Sequence, residues 1–241
     1  MLKVLYRDAH LVAVDKPPGL LVHRTRIADA DSFVLQRLRD QLGRRVHAVH
    51  RLDRPTSGVL LFALTADAAR RLSAQFATQR VAKHYLAVVR GWPPVAGRID
   101  WPLDDPEASA PGRRLPRPAL TTYRRLATAE LPVAVSRYPT SRYALVLAAP
   151  HTGRRHQLRR HFAHIRHPLI GDTTHGEGRH NRLFRERFGL HRLLLHAWRL
   201  DFTHPDTDAA MRVTAAPDAD WCRLFESLGW AEALPQRMEA S

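Results

Sequence analysis

The order of apolar patterns along the 241-residue chain predicts an α+β fold, a large mixed or antiparallel β-sheet flanked by helices and loops. Three observations carry this expectation. Strand-like runs outnumber helical ones, clean strand–helix–strand alternation is rare, and residues 58–64 are almost continuously apolar, as buried sheet strands are. The chain opens on two strand-like runs at 4–6 and 11–14, stopped by Lys16-Pro17-Pro18-Gly19. Residues 31–42 put Leu35, Leu38 and Leu42 on one helical face, and Gly43 supplies the stop. A short strand at 46–49 runs into a polar loop at 50–57, ahead of the apolar strand at 58–64. Thr65 then caps a helix whose inward face is Ala69, Leu72 and Phe76.

Residues 83–89 form a further strand, and the seven prolines between 92 and 118 mark an irregular loop or hinge. Strands at 120–128 and 143–148 precede a short helix at 155–165. A charged loop at 172–188 follows, then extended segments at 193–202 and 211–213 and a closing helix at 218–228. No internal repeat is present. The apolar patterns on either side of the proline-rich stretch are too short to form separate cores, so one domain over 1–241 is expected.

Composition narrows the function class. A hydrophobic fraction of 44% with 25% charged residues argues against disorder. No run approaches the length of a transmembrane helix, and the first residues lack the apolar stretch of a signal peptide. The single cysteine, Cys222, rules out disulfides within the chain and speaks against a cysteine-based metal site, so a reduced, cytoplasmic setting is expected. The net charge is +15 with a pI near 11.3, which points to a polyanionic partner. Lysine occurs only at Lys3, Lys16 and Lys83, so the cationic charge is almost all arginine. Residues 151–200 hold eleven arginines against Asp172, Glu177 and Glu186, a clustering that suits a phosphate-binding face.

The polar loop carries the candidate chemistry. In the string HRLDRPTSG at 50–58, Asp53 lies between Arg51 and Arg54, whose charges favour the ionised carboxylate. Taken alone, such an aspartate is a candidate acid, base or nucleophile, or simply a salt-bridged loop residue.

The whole string closely resembles the signature of the RluA-type pseudouridine synthases. The resemblance extends to LVAVDKPPGLLVH at 11–23, KHYLAVVRG at 83–91, TGRRHQLRRH at 152–161, HPLIGD at 167–172 and RLLLHAWRLDFTHP at 192–205, in the family's order. It implies the pseudouridine synthase catalytic fold and isomerisation of a uridine in RNA, without metal or other cofactor. By the same resemblance Asp53 is the catalytic carboxylate. Tyr85 stacks on the target uracil and handles the proton at carbon 5, and Arg159 pairs with Asp53. Arg51 enters the space left by the flipped base. Substrate-binding roles are further expected for Arg54, Leu194 (within the run 193–195 that lines the uracil pocket), Arg154, Arg155 and His156. The resemblance leaves open whether the aspartate attacks the sugar, attacks the base or removes a sugar proton.

Within the family, Arg54-Pro55, SRYPTSRYALV at 136–146 and GDTTHGEGRHNR at 171–182 resemble the branch that acts on uridine 65 in the T-stem of tRNA. No amino-terminal S4 RNA-binding domain is expected within these 241 residues. The expectation is a monomer with tRNA as its partner and no membrane association. Three other readings compete. One is a synthase of the same type acting on ribosomal RNA; another is a non-catalytic RNA-binding protein or chaperone. The third is a histidine-based enzyme, either a metal enzyme drawing on His151, His156, His161, His164 and His167, whose spacing lacks the H-E-x-x-H pattern, or a ribonuclease using two imidazoles as acid and base.

Overall fold

The structure is a computed structural model describing residues 1–23, 33–104 and 115–233. Twelve strands, five α-helices and one 3-10 helix occur among these residues. Packing divides the chain into two units. The first contains residues 1–85 and 195–216, the second 86–194 and 217–241.

In the first unit, β1 (Lys3–Arg7) and β2 (Leu11–Lys16) form an antiparallel pair. Helix α1 (Val34–Leu42) follows and ends where Gly43 adopts the left-handed conformation (φ 64°) that its sequence position predicts. Residues 31 and 32 of the expected helix lie outside the described residues. Strand β3 (His47–Ala48) and strand β4 (Ser57–Ala63) bracket the polar loop. Helix α2 (Ala66–Ala77) is capped by Thr65, whose side chain accepts from the Ala68 N–H at 3.2 Å.

All seven residues of β4 are buried, because its two faces pack into two different cores. Val59, Leu61 and Ala63 pack with Leu11 and Ala13 of β2 and with Ala68 and Leu72 of α2. Leu60 and Phe62 pack with Val12 and Val14 and with Val34 and Leu38 of α1. The period-two alternation of a strand sends successive apolar side chains to opposite faces, so helices on both faces require an uninterrupted apolar run. Strand β11 (Leu195–Thr203) joins β4 in parallel, pairing Ala197 with Gly58, and β12 (Ala210–Thr214) joins β11 antiparallel. The strand order is β1-β2-β4-β11, with β3 also on β4 and β12 on β11.

Strand β5 (Ala82–Arg90) carries the chain from the first unit into the second. There β6 (Ala96–Asp100) pairs antiparallel with β9 (Leu120–Leu131), and β9 pairs antiparallel with β10 (Ser141–Pro150). A small two-stranded sheet joins β7 (Leu103–Asp104) and β8 (Pro116–Arg117). The segment 92–118 is thus more regular than its prolines suggest. Pro93 and Pro94 precede β6 and Pro102 follows it, while Pro116 lies in a short edge pair, where a missing N–H is tolerated. Residues 105–114 of that segment are not described.

Helices α3 (Gln157–His164), α4 (Gly178–Phe188) and α5 (Ala219–Leu228) complete the second unit. Helix α4 corrects the expectation of a charged loop at 172–188. Its buried positions His180, Asn181 and Phe184 form an inward stripe, while its outer face is charged enough to hide the helical pattern. The architecture is α+β, as the sequence predicts. No helix among the described residues is long and apolar enough to cross a membrane.

Candidate active site

The loop bearing Asp53 is fixed from several sides within the first unit. Leu52 is buried in the core beneath it. The carbonyl of Arg54 accepts from the Gly19 N–H at 2.8 Å and from the ammonium of Lys16 at 3.1 Å, and Lys16 is itself fully buried. The Arg54 guanidinium donates back to the Gly19 carbonyl at 2.9 Å. Asp53 itself closes a turn, its carbonyl accepting from the Thr56 N–H at 3.1 Å. The Lys16-Pro17-Pro18-Gly19 segment therefore serves as a brace for the HRLD loop, a role that no local pattern announces.

At the far end of the loop, Ser57 and His196 form a buried pair, Ser57 Oγ to His196 Nδ1, at 2.9 Å. His196 Nε2 lies 3.0 Å from the Ala215 carbonyl, which only accepts, so Nε2 carries the proton and Ser57 donates to Nδ1. At the near end, His50 Nε2 accepts from the Leu61 N–H at 2.9 Å, and the ring stacks on Phe76. Burial, reinforced by the positive charge of Lys83, holds the His50 pKa down at about 3, so the imidazole is neutral at physiological pH. Burial also lowers Lys83, to about 8. Gly58 has φ +107°, and a Cβ there would lie 2.2 Å from the Ala197 carbonyl oxygen. The loop can enter β4 beside β11 only through glycine.

Tyr85, at the end of β5 that belongs to this unit, packs against the core that contains Leu52. Burial first, and the negative charge of Asp53 second, raise its pKa well above the ordinary 10.0. The structure thus brings two of the expected residues together: a carboxylate and a phenol kept in its neutral, proton-bearing form. Arg51 and Arg54 flank them as exposed side chains.

The second unit gathers the expected residues of the TGRRHQLRRH segment at the start of α3. Gln157 accepts from Thr152 Oγ at 2.7 Å and the Arg154 N–H at 3.0 Å, and donates to the Leu120 carbonyl at 2.9 Å. This ties the turn to β9. Arg154 donates to the Pro118 carbonyl at 3.1 Å, and Arg155 is exposed. His156 caps the helix in the left-handed region at φ 53°, unusual for a side chain of this size, with its ring nitrogen 3.0 Å from His175. Leu194 is fully buried, its backbone bonded to Ile170 and Val88.

Arg159 is buried and forked on Asp172, with Nε to Oδ2 and Nη2 to Oδ1 both at 2.7 Å. Asp172 Oδ1 also accepts from the N–H groups of Thr174 and His175, each at 2.9 Å. Burial alone would raise the Asp172 pKa, but the Arg159 bonds and the two backbone donors outweigh it and leave it lowered. Asp172 is the residue that the sequence reading missed. It stands inside the HPLIGD segment as one of three acids against eleven arginines in residues 151–200, and that scarcity was the available signal.

The histidines have structural partners. His161 contacts Thr121 and the Trp101 carbonyl, His164 stacks on Trp101, His167 bonds the Arg90 carbonyl and His151 bonds Thr122. Among the described residues no three His, Cys, Asp or Glu side chains converge in a way that could hold a metal ion.

The sequence profile of the RNA pseudouridylate synthases matches residues 10–164, more than half of the chain. This protein belongs to that family. The synthase is 48% identical to the tRNA pseudouridine synthase C of Vibrio cholerae, over 97% of this chain and 98% of that protein. It is also 48% identical to the tRNA pseudouridine synthase C of Yersinia pestis, over 98% and 94%. Among solved structures it is similar to human RNA pseudouridylate synthase domain containing 1, with a TM-score of 0.71 and 25% identity over 95% of each chain. Human RNA pseudouridylate synthase domain containing 4 gives a TM-score of 0.70 and 27% identity, covering 94% of this chain and 93% of that one. The synthase is therefore an enzyme that isomerises uridine to pseudouridine, and the family resemblance in its motifs holds over the whole fold.

Proposed function

We propose that the synthase converts one uridine of tRNA, position 65 in the T-stem, to pseudouridine, with Asp53 as the catalytic carboxylate. The observation that carries the chemical reading is the juxtaposition of Asp53 with a neutral Tyr85 on a loop braced by Lys16, Gly19 and His196. The substrate reading is supported by the tRNA-acting relatives at 48% identity across nearly the whole chain.

The reaction breaks the bond from ribose carbon 1′ to uracil nitrogen 1 and joins the same ribose carbon to carbon 5. The proton on carbon 5 departs and nitrogen 1 gains one, so atoms and electrons balance without a redox partner or cofactor. Asp53 acts as an anion while the glycosidic bond breaks. Tyr85 stacks on the extruded uracil and, because its pKa is raised, keeps a hydroxyl proton beside the reacting carbon. Base extrusion costs a few kcal/mol, which stacking of about 1–3 kcal/mol and arginine–phosphate contacts offset. Arg51 fills the space the base leaves, Arg54, Arg154, Arg155 and His156 contact the RNA, Leu194 lines the base pocket, and Arg159 supports the chemical step. The protein works in the cytoplasm as a monomer, with residues 1–241 forming one catalytic domain.

Purified enzyme with chelator present should modify an unmodified tRNA transcript at one T-stem uridine. Asp53→Asn should abolish that conversion while leaving RNA affinity nearly intact, since phosphate contacts supply most of it. Substantial turnover by the variant removes Asp53 from the mechanism. Modification of ribosomal RNA fragments alone overturns the tRNA target and leaves the reaction class standing.

A further inference from the structure

The arginine excess has an address on helix α4. Its inner face is fully committed. Phe184 packs edge-on against Tyr143, Tyr143 lies 2.8 Å from His180 Nδ1, and Asn181 is bonded on both sides of its amide. Asn181 Nδ2 donates to the Asp172 carbonyl at 2.9 Å, and its oxygen accepts from the Gly171 N–H at 2.8 Å. Asp172 is the residue that forks Arg159. The helix is thereby fastened to the backbone that holds the Arg159 site.

The other face is different. The helix GRHNRLFRERF carries Arg179, Arg182, Arg185 and Arg187 against one acid, the exposed Glu186. Several other arginines of this unit are matched to acids, among them Arg90 with Glu177, Arg159 with Asp172 and Arg192 with Asp218. Among the described residues Arg179, Arg182 and Arg185 have no carboxylate within ion-pair distance. Helix stability does not account for all of this charge. Arg185 and Arg187 sit in the last turn, where cations suit the helix dipole, but Arg179 sits in the first turn, where they oppose it. His180 also lines a cavity of about 600 Å³ together with Arg90, Tyr138 and Arg142, so the helix borders a recess with cationic and aromatic walls.

We propose that α4 is a docking helix for the sugar–phosphate backbone of the RNA substrate, with Arg179, Arg182 and Arg185 as phosphate contacts. The three lie at intervals of three residues, spread over about 9 Å of helix axis. An A-form RNA strand rises less per nucleotide than the roughly 3.4 Å of a DNA strand, so two to three successive phosphates fit in that span. The contact is electrostatic and sequence-independent, and through Asn181 and Asp172 it seats the RNA on the same rigid piece of backbone that positions Arg159. The inference rests on the synthase acting on a structured RNA.

The test is salt-dependent binding with an RNA that the wild-type enzyme is first shown to isomerise. The triple variant Arg179→Gln, Arg182→Gln, Arg185→Gln keeps helix-forming side chains and removes the charge. Its plot of log affinity against log salt should be shallower by about two to three, near 0.9 per lost phosphate contact. KM should rise about tenfold or more near physiological salt while kcat at saturating RNA stays unchanged. Lysine at the three positions should restore most of the slope, which repair of a folding defect would not do. Arg70→Gln with Arg71→Gln, on helix α2 and paired with Asp67, should leave the slope unaltered. An unchanged slope in the α4 triple variant overturns the proposal, as does an equal loss in the α2 control. Failure of wild type on tRNA with success on another RNA would overturn the tRNA target alone, because the slopes are read on whichever RNA reacts.

Discussion

Removing the carboxylate of Asp172 should be among the costliest single changes in the second unit. Asp172→Ala deletes two charge-assisted bonds of 2.7 Å to Arg159 and two acceptor contacts of 2.9 Å to the Thr174 and His175 N–H groups. The side chains of Arg159 and Asp172 are 5% and 0% exposed, so water cannot replace the lost partner. Leaving one member of a buried ion pair unmatched typically costs about 3–5 kcal/mol. For a chain of this length each kcal/mol lowers Tm by about 2–4 °C, so the expected drop is roughly 6–20 °C. Asp172→Asn should fall between wild type and alanine. Its oxygen can still accept from Arg159 Nη2 and the two backbone donors, but its amide nitrogen turns a donor toward Arg159 Nε. Calorimetry on the three proteins, with single-turnover isomerisation alongside, measures both consequences. The chemical rate should fall in the same order as stability if Arg159 is positioned by this pair. A Tm change below about 2 °C for Asp172→Ala would show that the pair contributes little and would refute the reasoning.

Two further outcomes follow from geometry and titration. Gly58→Ala puts a Cβ 2.2 Å from a backbone oxygen of β11 at φ +107°, so it should destabilise by about 3 kcal/mol or more and displace the Asp53 loop; circular dichroism melts and a matched activity assay check it, and a wild-type melt would refute it. Burial works to raise the Asp8 pKa, but the Leu11 and His10 N–H groups, His204 and Tyr6 bring it down from 3.8 to about 2. A depressed carboxylate contributes stability that is fully present above its unfolded value and is lost as pH falls toward the folded one. Asp8 should thus contribute stability near neutrality that disappears between about pH 4 and pH 2, and Asp8→Ala should flatten the acid limb of the stability curve over that range; an unchanged limb would remove Asp8 from the acid response.

Local chemistry was legible in the sequence wherever it acts over a few residues. Gly43 stops α1 because a left-handed C-terminal residue favours glycine, and Thr65 starts α2 because its hydroxyl satisfies an end N–H. The continuous apolar run of β4 announced a strand buried on both faces, and the HRLD string marked the loop that carries the candidate carboxylate. What failed was also local. Helix α4 hides from a sequence reading because its charges outnumber the few residues that anchor it, and the three short strands β6, β7 and β8 are masked by the prolines around them.

Tertiary structure alone decided which distant residues hold that loop and that arginine. Ser57 meets His196 across 139 residues, Lys16 reaches the Arg54 carbonyl across 38, and Asp172 meets Arg159 across 13. No periodicity encodes such pairs, because each becomes favourable only once burial has removed water from both partners. Glycine at position 58 is fixed by a parallel neighbour that the chain supplies only at Ala197. The sequence by itself determined the cationic character and the class of fold, and it singled out Asp53 as the candidate carboxylate. The packing determined that the carboxylate stands by a neutral phenol, and that Arg159 is held by an acid 13 residues away.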